Sequence, residues 1–118
     1  MLIVTERIDD LVEVEVTASV LDANNSKVFR SESRSLAGPR ARVLLDMQKV
    51  EFMDSSGLGS LLSFFRALEQ NSGQLKIFGL TGPARALIEL VRMHKILSIY
   101  NDREEGRRAF SLTRQGSA

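Results

Sequence analysis

The sequence predicts an α/β domain in which helices cover a β-sheet, and three features indicate this class. Residues 11–17, "LVEVEVT", alternate between apolar and polar side chains, as in a half-exposed strand. "ARVLLDM" and "QLKIFGL" are compact apolar runs without alternation, which is typical of strands covered on both faces. Between these two runs the apolar residues recur at helical spacing. Strands that alternate with helices favour an α/β architecture.

The N-terminal third of the chain predicts a hairpin followed by a helix. A short apolar run at residues 2–4 and a turn at residues 9–10 precede the alternating strand, so the two strands form a hairpin or an edge pair. The polar segment "LDANNSKVFRSESRSL" predicts a weakly amphipathic helix that starts near residues 22–25, where the side chains suit an N-cap. The Gly-Pro pair at residues 38–39 is expected to end this helix.

The clearest helical pattern covers residues 58–68, and we expect this helix to be the central packing element. Its apolar side chains follow the i, i+3, i+4, i+7 spacing of one buried face, which comprises Leu58, Leu61, Leu62, Phe65 and Leu68. Three phenylalanines are assigned to the core because bulky apolar residues are usually buried, namely Phe64, Phe65 and Phe78.

The C-terminal third predicts a helix, a short strand and a terminal helix. Residues 81–83, "TGP", start the first of these helices, with proline near its first turn. Its core face is expected to comprise Ala84, Leu87, Ile88 and Val91. "KILSIY" predicts the strand, and "DREEGRRAF" predicts the terminal helix.

Length, charge and composition limit the possible functions. With 118 residues we expect one domain over residues 1–118. The 16 basic and 15 acidic residues form no basic block, which argues against nucleic acid as a partner. Cysteine is absent, which excludes disulfides and thiol catalysis. The N-terminal residues lack the pattern of a signal peptide, and no apolar run approaches the roughly 18 residues of a membrane helix. A cytoplasmic protein without membrane insertion is therefore expected.

The segment "FMDSSGLG", residues 52–59, joins an acid, two serines and two glycines at the start of the central helix. One interpretation is helix capping alone, because Asp and Ser are favoured N-caps. A cap needs only one side-chain oxygen, however, whereas each of three adjacent residues carries such an oxygen here. Gly57 and Gly59 each cost about 1 kcal/mol within a helix relative to alanine, so they are better explained by a closely approaching backbone.

An enzymatic interpretation of this segment has little support. A nucleophile elbow requires glycine two residues before the serine, but Met53 stands two residues before Ser55. The only histidine is His94, far along the chain, and no glycine-rich nucleotide loop is present. Asp46 and Asp54 lack the further carboxylates or histidines that would complete a metal site. We therefore expect a protein that is not an enzyme and that holds no cofactor and no metal.

A displayed serine is the third interpretation and fits best. A serine at the N-terminus of a helix lies where backbone N–H groups and the helix dipole favour negative charge. Phosphorylated Ser55 would therefore need little rearrangement, and Asp54 beside it would make the surface strongly anionic.

The segment "VLLDMQKVEFMDSSGLGSLLSFFRAL" resembles the central signature of the STAS domain, specifically of bacterial anti-sigma factor antagonists. "LDANN" and "LTGPARALIELVRMHKILSIYNDREE" extend the resemblance over nearly the whole chain. It implies a single STAS domain with a mixed sheet of four or five strands and four or five helices. It also implies that Ser55 is the phospho-acceptor. The partner-binding surface implied around it comprises Asp22, Asp54, Ser55, Ser56, Gly57 and Leu58.

The resemblance further implies the partners. The unphosphorylated antagonist binds a serine kinase that doubles as an anti-sigma factor, and this binding releases the sigma factor. The ATP is bound by the kinase. Phosphorylation ends the binding, and a serine phosphatase reverses it. We expect a monomer or a weak dimer. Two alternatives stay open: a STAS scaffold, for example in a lipid or anion transport system, and a sensor of a small ligand.

Overall fold

The computed structural model describes residues 2–117, which form a five-stranded sheet, a two-stranded sheet and helices on both faces of the larger sheet. The strands are β1 Ile3–Ile8, β2 Leu11–Val16, β3 Val20–Leu21, β4 Arg42–Asp46, β5 Phe52–Met53, β6 Gln74–Phe78 and β7 Ser98–Tyr100. The helices are α1 Ser26–Arg34, α2 Ser55–Gln70, α3 Gly82–Leu90 and α4 Arg103–Ser117, with a 3₁₀ turn at Met93–Lys95.

The larger sheet is mixed and has the strand order β1-β2-β4-β6-β7. β1 and β2 form the predicted antiparallel hairpin around a turn in which Asp9 has a positive φ of 57°. β2, β4, β6 and β7 run parallel to one another. These observations confirm the α/β class and the mixed five-stranded sheet. The parallel pairing of β3 with β5 forms the second sheet, which the sequence did not predict.

The two faces of β4 pack against different helices. Val43 and Leu45 belong to the main core, together with apolar residues of α1, α2 and α3. Leu44 points to the other face, where it packs with Phe78 of β6 and Phe110 of α4. All three β4 side chains are fully buried, which confirms that this strand is covered on both faces.

The buried face of α2 differs in part from the prediction. Leu58, Leu61 and Leu68 are buried as predicted, whereas Leu62 and Phe65 are only half-buried. Phe64 is buried instead, with 2% of its surface exposed. The physical reason is that α2 packs against α1 as well as the sheet. Phe64 meets Phe29 of α1 edge to face, with ring centroids 6.2 Å apart. The sequence pattern contains no information on this lateral neighbour.

Helix α1 begins as predicted, directly after residues 22–25, but it ends earlier than predicted. It begins at Ser26 and ends at Arg34, before the Gly-Pro pair at residues 38–39. Asn25 occupies the N-cap position, but its side chain makes no capping hydrogen bond to the helix. This side chain is engaged in the preceding loop instead.

Three predictions for the C-terminal third also need correction. Val91 is 47% exposed and not part of the core face, because α3 ends at Leu90. β7 begins at Ser98, since the preceding residues form the 3₁₀ turn. α4 continues beyond the predicted segment to Ser117.

Candidate functional site

The small β3–β5 sheet brings two distant segments together at the start of α2. Val20 lies opposite Phe52, and Leu21 lies opposite Met53. The Asp54 N–H donates to the Leu21 carbonyl at 3.3 Å and continues this pairing to the helix. The loop that follows β3, residues 22–25, therefore lies beside the N-terminus of α2.

Asp54 caps α2 and also holds the neighbouring loop. Its backbone is extended, and its Oδ1 accepts a hydrogen bond from the Gly57 N–H at 2.9 Å. Its Oδ2 accepts from the Ala23 N–H at 3.3 Å. The predicted capping role is thus correct for Asp54. The second carboxylate oxygen explains why a hydroxyl, which has one oxygen, would be a poorer choice here.

Gly57 is required by a close backbone contact. A Cβ atom at this position would lie 2.0 Å from the Leu21 carbonyl oxygen. Any other residue would therefore force β3 away from α2. Gly59 differs, because its nearest neighbour is the tip of the Arg30 side chain, 3.4 Å from the Cβ position. The prediction of a closely approaching backbone is confirmed at Gly57 and is wrong at Gly59.

The three residues after Asp54 differ in their accessibility. Ser55 is the first residue of α2 and is exposed, whereas Ser56 is half-buried. Leu58 has only 7% of its surface exposed and packs in the main core. Ser55 is therefore the more accessible of the two serines, and Leu58 supports the start of α2 from the core.

The loop that carries Asp22 is held by its own side chains. The Asp22 Oδ1 accepts from the Asn24 N–H at 2.9 Å. The Asn25 Oδ1 accepts from the Asp22 N–H at 2.9 Å, and its Nδ2 donates to the Val20 carbonyl at 2.8 Å. Asn25 thus organises the loop, whereas the sequence suggested only an N-cap role for it. Its signal was the Asp-x-x-Asn spacing of side chains that favour local backbone hydrogen bonds.

Two further side chains support the site and were missed from sequence. Ser60 is completely buried, and its Oγ donates to the Gly57 carbonyl at 2.7 Å. Thr81, which precedes α3, donates from its Oγ1 to the Val50 carbonyl at 2.8 Å and so joins α3 to the segment before β5. Ser60 lies inside the apolar pattern of α2, and Thr81 lies in the segment "TGP", which predicted only the start of a helix.

The segment before β5 also carries an ion pair. Lys49 Nζ lies 2.7 Å from Glu15 Oε2 of β2. The hydrogen bond and the charge of Glu15 raise the pKa of Lys49 above its ordinary value. This ion pair joins the segment before β5 to β2.

In the part of the chain that the structure describes, His94 forms no hydrogen bond with Ser55. It is exposed in the 3₁₀ turn after α3, whereas Thr81 at the opposite end of α3 contacts the segment leading to the site. The nine residues of α3 separate these ends by about 13 Å. Within residues 2–117 no group of three or more His, Cys, Asp or Glu side chains could hold a metal ion.

Comparison with known proteins assigns the family. The family model described as "STAS domain" matches residues 3–106. The anti-sigma F factor antagonist of Paenibacillus polymyxa is 30% identical over 84 residues, which cover 70% of this chain and 72% of the relative. In the part of the chain that the structure describes, no helix is long and apolar enough to cross a membrane.

Solved structures show the same fold. The anti-sigma factor antagonist SpoIIAA in its unphosphorylated form has a TM-score of 0.75 and 20% identity, with 96% of each chain covered. The phosphorylated form of SpoIIAA, a Bacillus cell fate determinant, has a TM-score of 0.67 and 19% identity, covering 91% of this chain and 98% of that chain. With the family model matching most of its length, the chain belongs to the STAS domain family.

Proposed function

We propose that this protein is an anti-sigma factor antagonist that is switched by phosphorylation of Ser55. Its unphosphorylated form binds a serine kinase that doubles as an anti-sigma factor, and the sigma factor is released. The kinase binds ATP and phosphorylates Ser55, which ends the binding, and a serine phosphatase restores the hydroxyl. This chain supplies the binding surface and no catalytic group.

The position of Ser55 is the observation that carries the proposal. Ser55 is exposed at the first residue of α2, directly after the cap residue Asp54. The backbone around it is held by the Asp54 carboxylate and by the close contact of Gly57 with Leu21. A kinase therefore meets an accessible hydroxyl on a rigid support. The similarity to a named anti-sigma F factor antagonist supports the same function.

The charge of the phosphate explains how the switch works. Phosphorylation adds about −1.5 to −2 charges at pH 7, and the formal net charge of the chain is +1. The new charge lies next to Asp54, on the same side as the Asp22 loop. Because Ser55 is exposed, the phosphate needs no space in the core and the fold is retained. A partner surface built around a neutral hydroxyl would have to bury or repel this dianion, so binding weakens.

Three variants test this proposal against the purified serine kinase anti-sigma factor of the same cell. Ser55→Ala should bind the kinase and should not accept phosphate. Ser55→Asp should remain folded but bind at least about tenfold more weakly, which corresponds to roughly 1.4 kcal/mol. Ser56→Ala is the matched control and should still be phosphorylated. The assays are a binding titration, a kinase assay with mass spectrometry of the Ser55 peptide, and a melting curve.

Two results would contradict the proposal. If Ser56→Asp abolishes binding while Ser55→Asp binds like the wild type, the acceptor is Ser56. If neither substitution changes binding to any partner, the protein is not a phospho-switch. A non-switching STAS scaffold or sensor subunit, for example of a lipid or anion transport system, would then be the better assignment.

A further inference from the structure

The side chain of Arg30 lies against the same part of α2 that carries Ser55. Arg30 belongs to α1, and its Nη2 is 3.4 Å from the position that a Cβ atom of Gly59 would occupy. Because Gly59 has no side chain, the guanidinium lies directly on the helix surface. The contact is at the upper end of a groove between α1 and α2, lined by Arg30, Ser33, Arg34, Ser63, Phe64 and Ala67.

Helix geometry relates this contact to Ser55. Ser55 and Gly59 are four residues apart in α2, so they share one face, with about 5–6 Å between their Cβ positions. The Cα–Cβ bonds of both residues are tilted toward the helix N-terminus, so Ser55 lies one helical turn before the space above Gly59. Arg30 occupies this space. Arg30 is exposed and its side chain is long, so a guanidinium that lies one turn from Ser55 is within reach of a phosphate there.

We propose that Arg30 binds the phosphate of phosphorylated Ser55 and holds it against α2. This inference rests on the proposed function and adds a residue to it. A guanidinium has a planar fork of N–H donors that matches two oxygens of a phosphate. The serine hydroxyl offers one neutral oxygen, so the contact is much stronger after phosphorylation. Arg30 thus favours the phosphorylated state of the surface.

Other charged groups on the surrounding elements act on the same phosphate. The negative ones are Asp54 at the start of α2 and Asp22 in the loop after β3, whose next residue bonds to Asp54. These carboxylates disfavour the dianion and raise the second pKa of the phosphate. Lys27 in the first turn of α1 and Arg30 have the opposite effect. Arg30 is distinguished from Lys27 by its contact over Gly59.

The second pKa of the phosphate measures the contact. The full chain is produced with phosphoserine incorporated at position 55 during translation, so no kinase is needed, and the phosphate is titrated by ³¹P NMR. Free phosphoserine has a second pKa of about 6. Removing a positive charge in contact with the dianion raises this pKa, and we expect Arg30→Ala to raise it by at least about 0.5. Arg30→Gln, which keeps most of the side-chain length, should do the same.

Arg34→Ala is the matched control. Arg34 lies on α1 about one turn after Arg30 and lines the same groove, about 6 Å farther along the axis. Its removal should change the phosphate pKa by less than about 0.2, because the contact is local. Circular dichroism at each pH verifies that every variant is folded.

The outcomes separate this inference from the proposed function. If the phosphate titrates alike in the wild type, Arg30→Ala and Arg30→Gln, Arg30 does not bind it and the inference is wrong. An equal shift of the phosphate pKa in Arg34→Ala would also overturn the inference. The shift would then reflect the loss of any nearby positive charge and not a contact with Arg30. The titration contains no partner protein, so neither result bears on the Ser55→Asp binding experiment. That binding experiment can in turn fail while the pKa shift is observed.

Discussion

Replacing Gly57 by alanine tests the close contact between α2 and β3. The added methyl group would lie 2.0 Å from the Leu21 carbonyl oxygen, roughly 1.4 Å short of the 3.4 Å at which ordinary contact begins. The neighbour is backbone, so relief requires β3 to move away from the helix. Overpacking of this kind costs about 1–3 kcal/mol. The displaced strand would also strain the hydrogen bond from the Asp54 N–H to Leu21, which contributes about 1 kcal/mol.

An opposing effect reduces this loss. Alanine is favoured over glycine in a helix interior by about 1 kcal/mol, and Gly57 is in the first turn, where the gain is smaller. We therefore expect Gly57→Ala to lower the free energy of unfolding by about 2 kcal/mol. With a urea m-value of about 1–3 kcal/mol/M, the unfolding midpoint should fall by about 1 M.

Gly59→Ala is the control for this experiment. It makes the same chemical change in the same helix, but the new methyl group meets only the end of the flexible Arg30 side chain at 3.4 Å. Its free energy of unfolding should be unchanged or raised by up to about 1 kcal/mol. Both variants are compared with the wild type by urea denaturation followed by circular dichroism. A Gly57→Ala protein as stable as Gly59→Ala would refute the close approach of β3 to α2.

The remaining predictions concern the cap and the buried face of α2. The Asp54→Ala substitution should lower the free energy of unfolding by about 0.5–2 kcal/mol, because it removes the N-cap. Urea denaturation measures this change, and a loss under about 0.2 kcal/mol would contradict the capping role. The Phe64→Ala substitution should lower the free energy of unfolding by about 3–5 kcal/mol, because the ring is almost fully buried. Phe65→Ala should lose less than half as much, since Phe65 is half-buried. If both substitutions lower the free energy of unfolding equally, the buried face of α2 is wrongly assigned.

Much of the architecture could be predicted from the sequence because regular elements repeat their pattern locally. The alternation of Val12, Val14 and Val16 with glutamates indicated a strand with one buried face, and all three valines are buried. The unbroken apolar run around Leu44 indicated a strand covered on both sides, as observed. Such patterns determine the element type because side chains of a strand alternate and those of a helix repeat every 3.6 residues.

The candidate site was predictable only in part. The chemistry of Asp54 and Ser55, and the resemblance of their motif to the STAS signature, pointed to the start of α2 and to capping by Asp54. The Asp-x-x-Asn spacing of Asp22 and Asn25 indicated local backbone hydrogen bonds, but it did not distinguish a loop organiser from an N-cap. The burial of Leu58 beneath the site was predictable, because Leu58 begins the apolar series of α2.

The sequence by itself determined the α/β class, the hairpin, the order of the main elements and the segment that carries the candidate switch. Only the tertiary structure decided which partners these elements have. β3 and β5 contain two residues each, too few for a periodic signal, and they exist because they pair with each other. Phe64 is buried because α1 lies beside α2. Gly57 and Gly59 look alike in the sequence, yet one meets the Leu21 backbone and the other the Arg30 side chain. Contacts between residues far apart in the chain depend on how the elements pack, and local patterns contain no record of that packing.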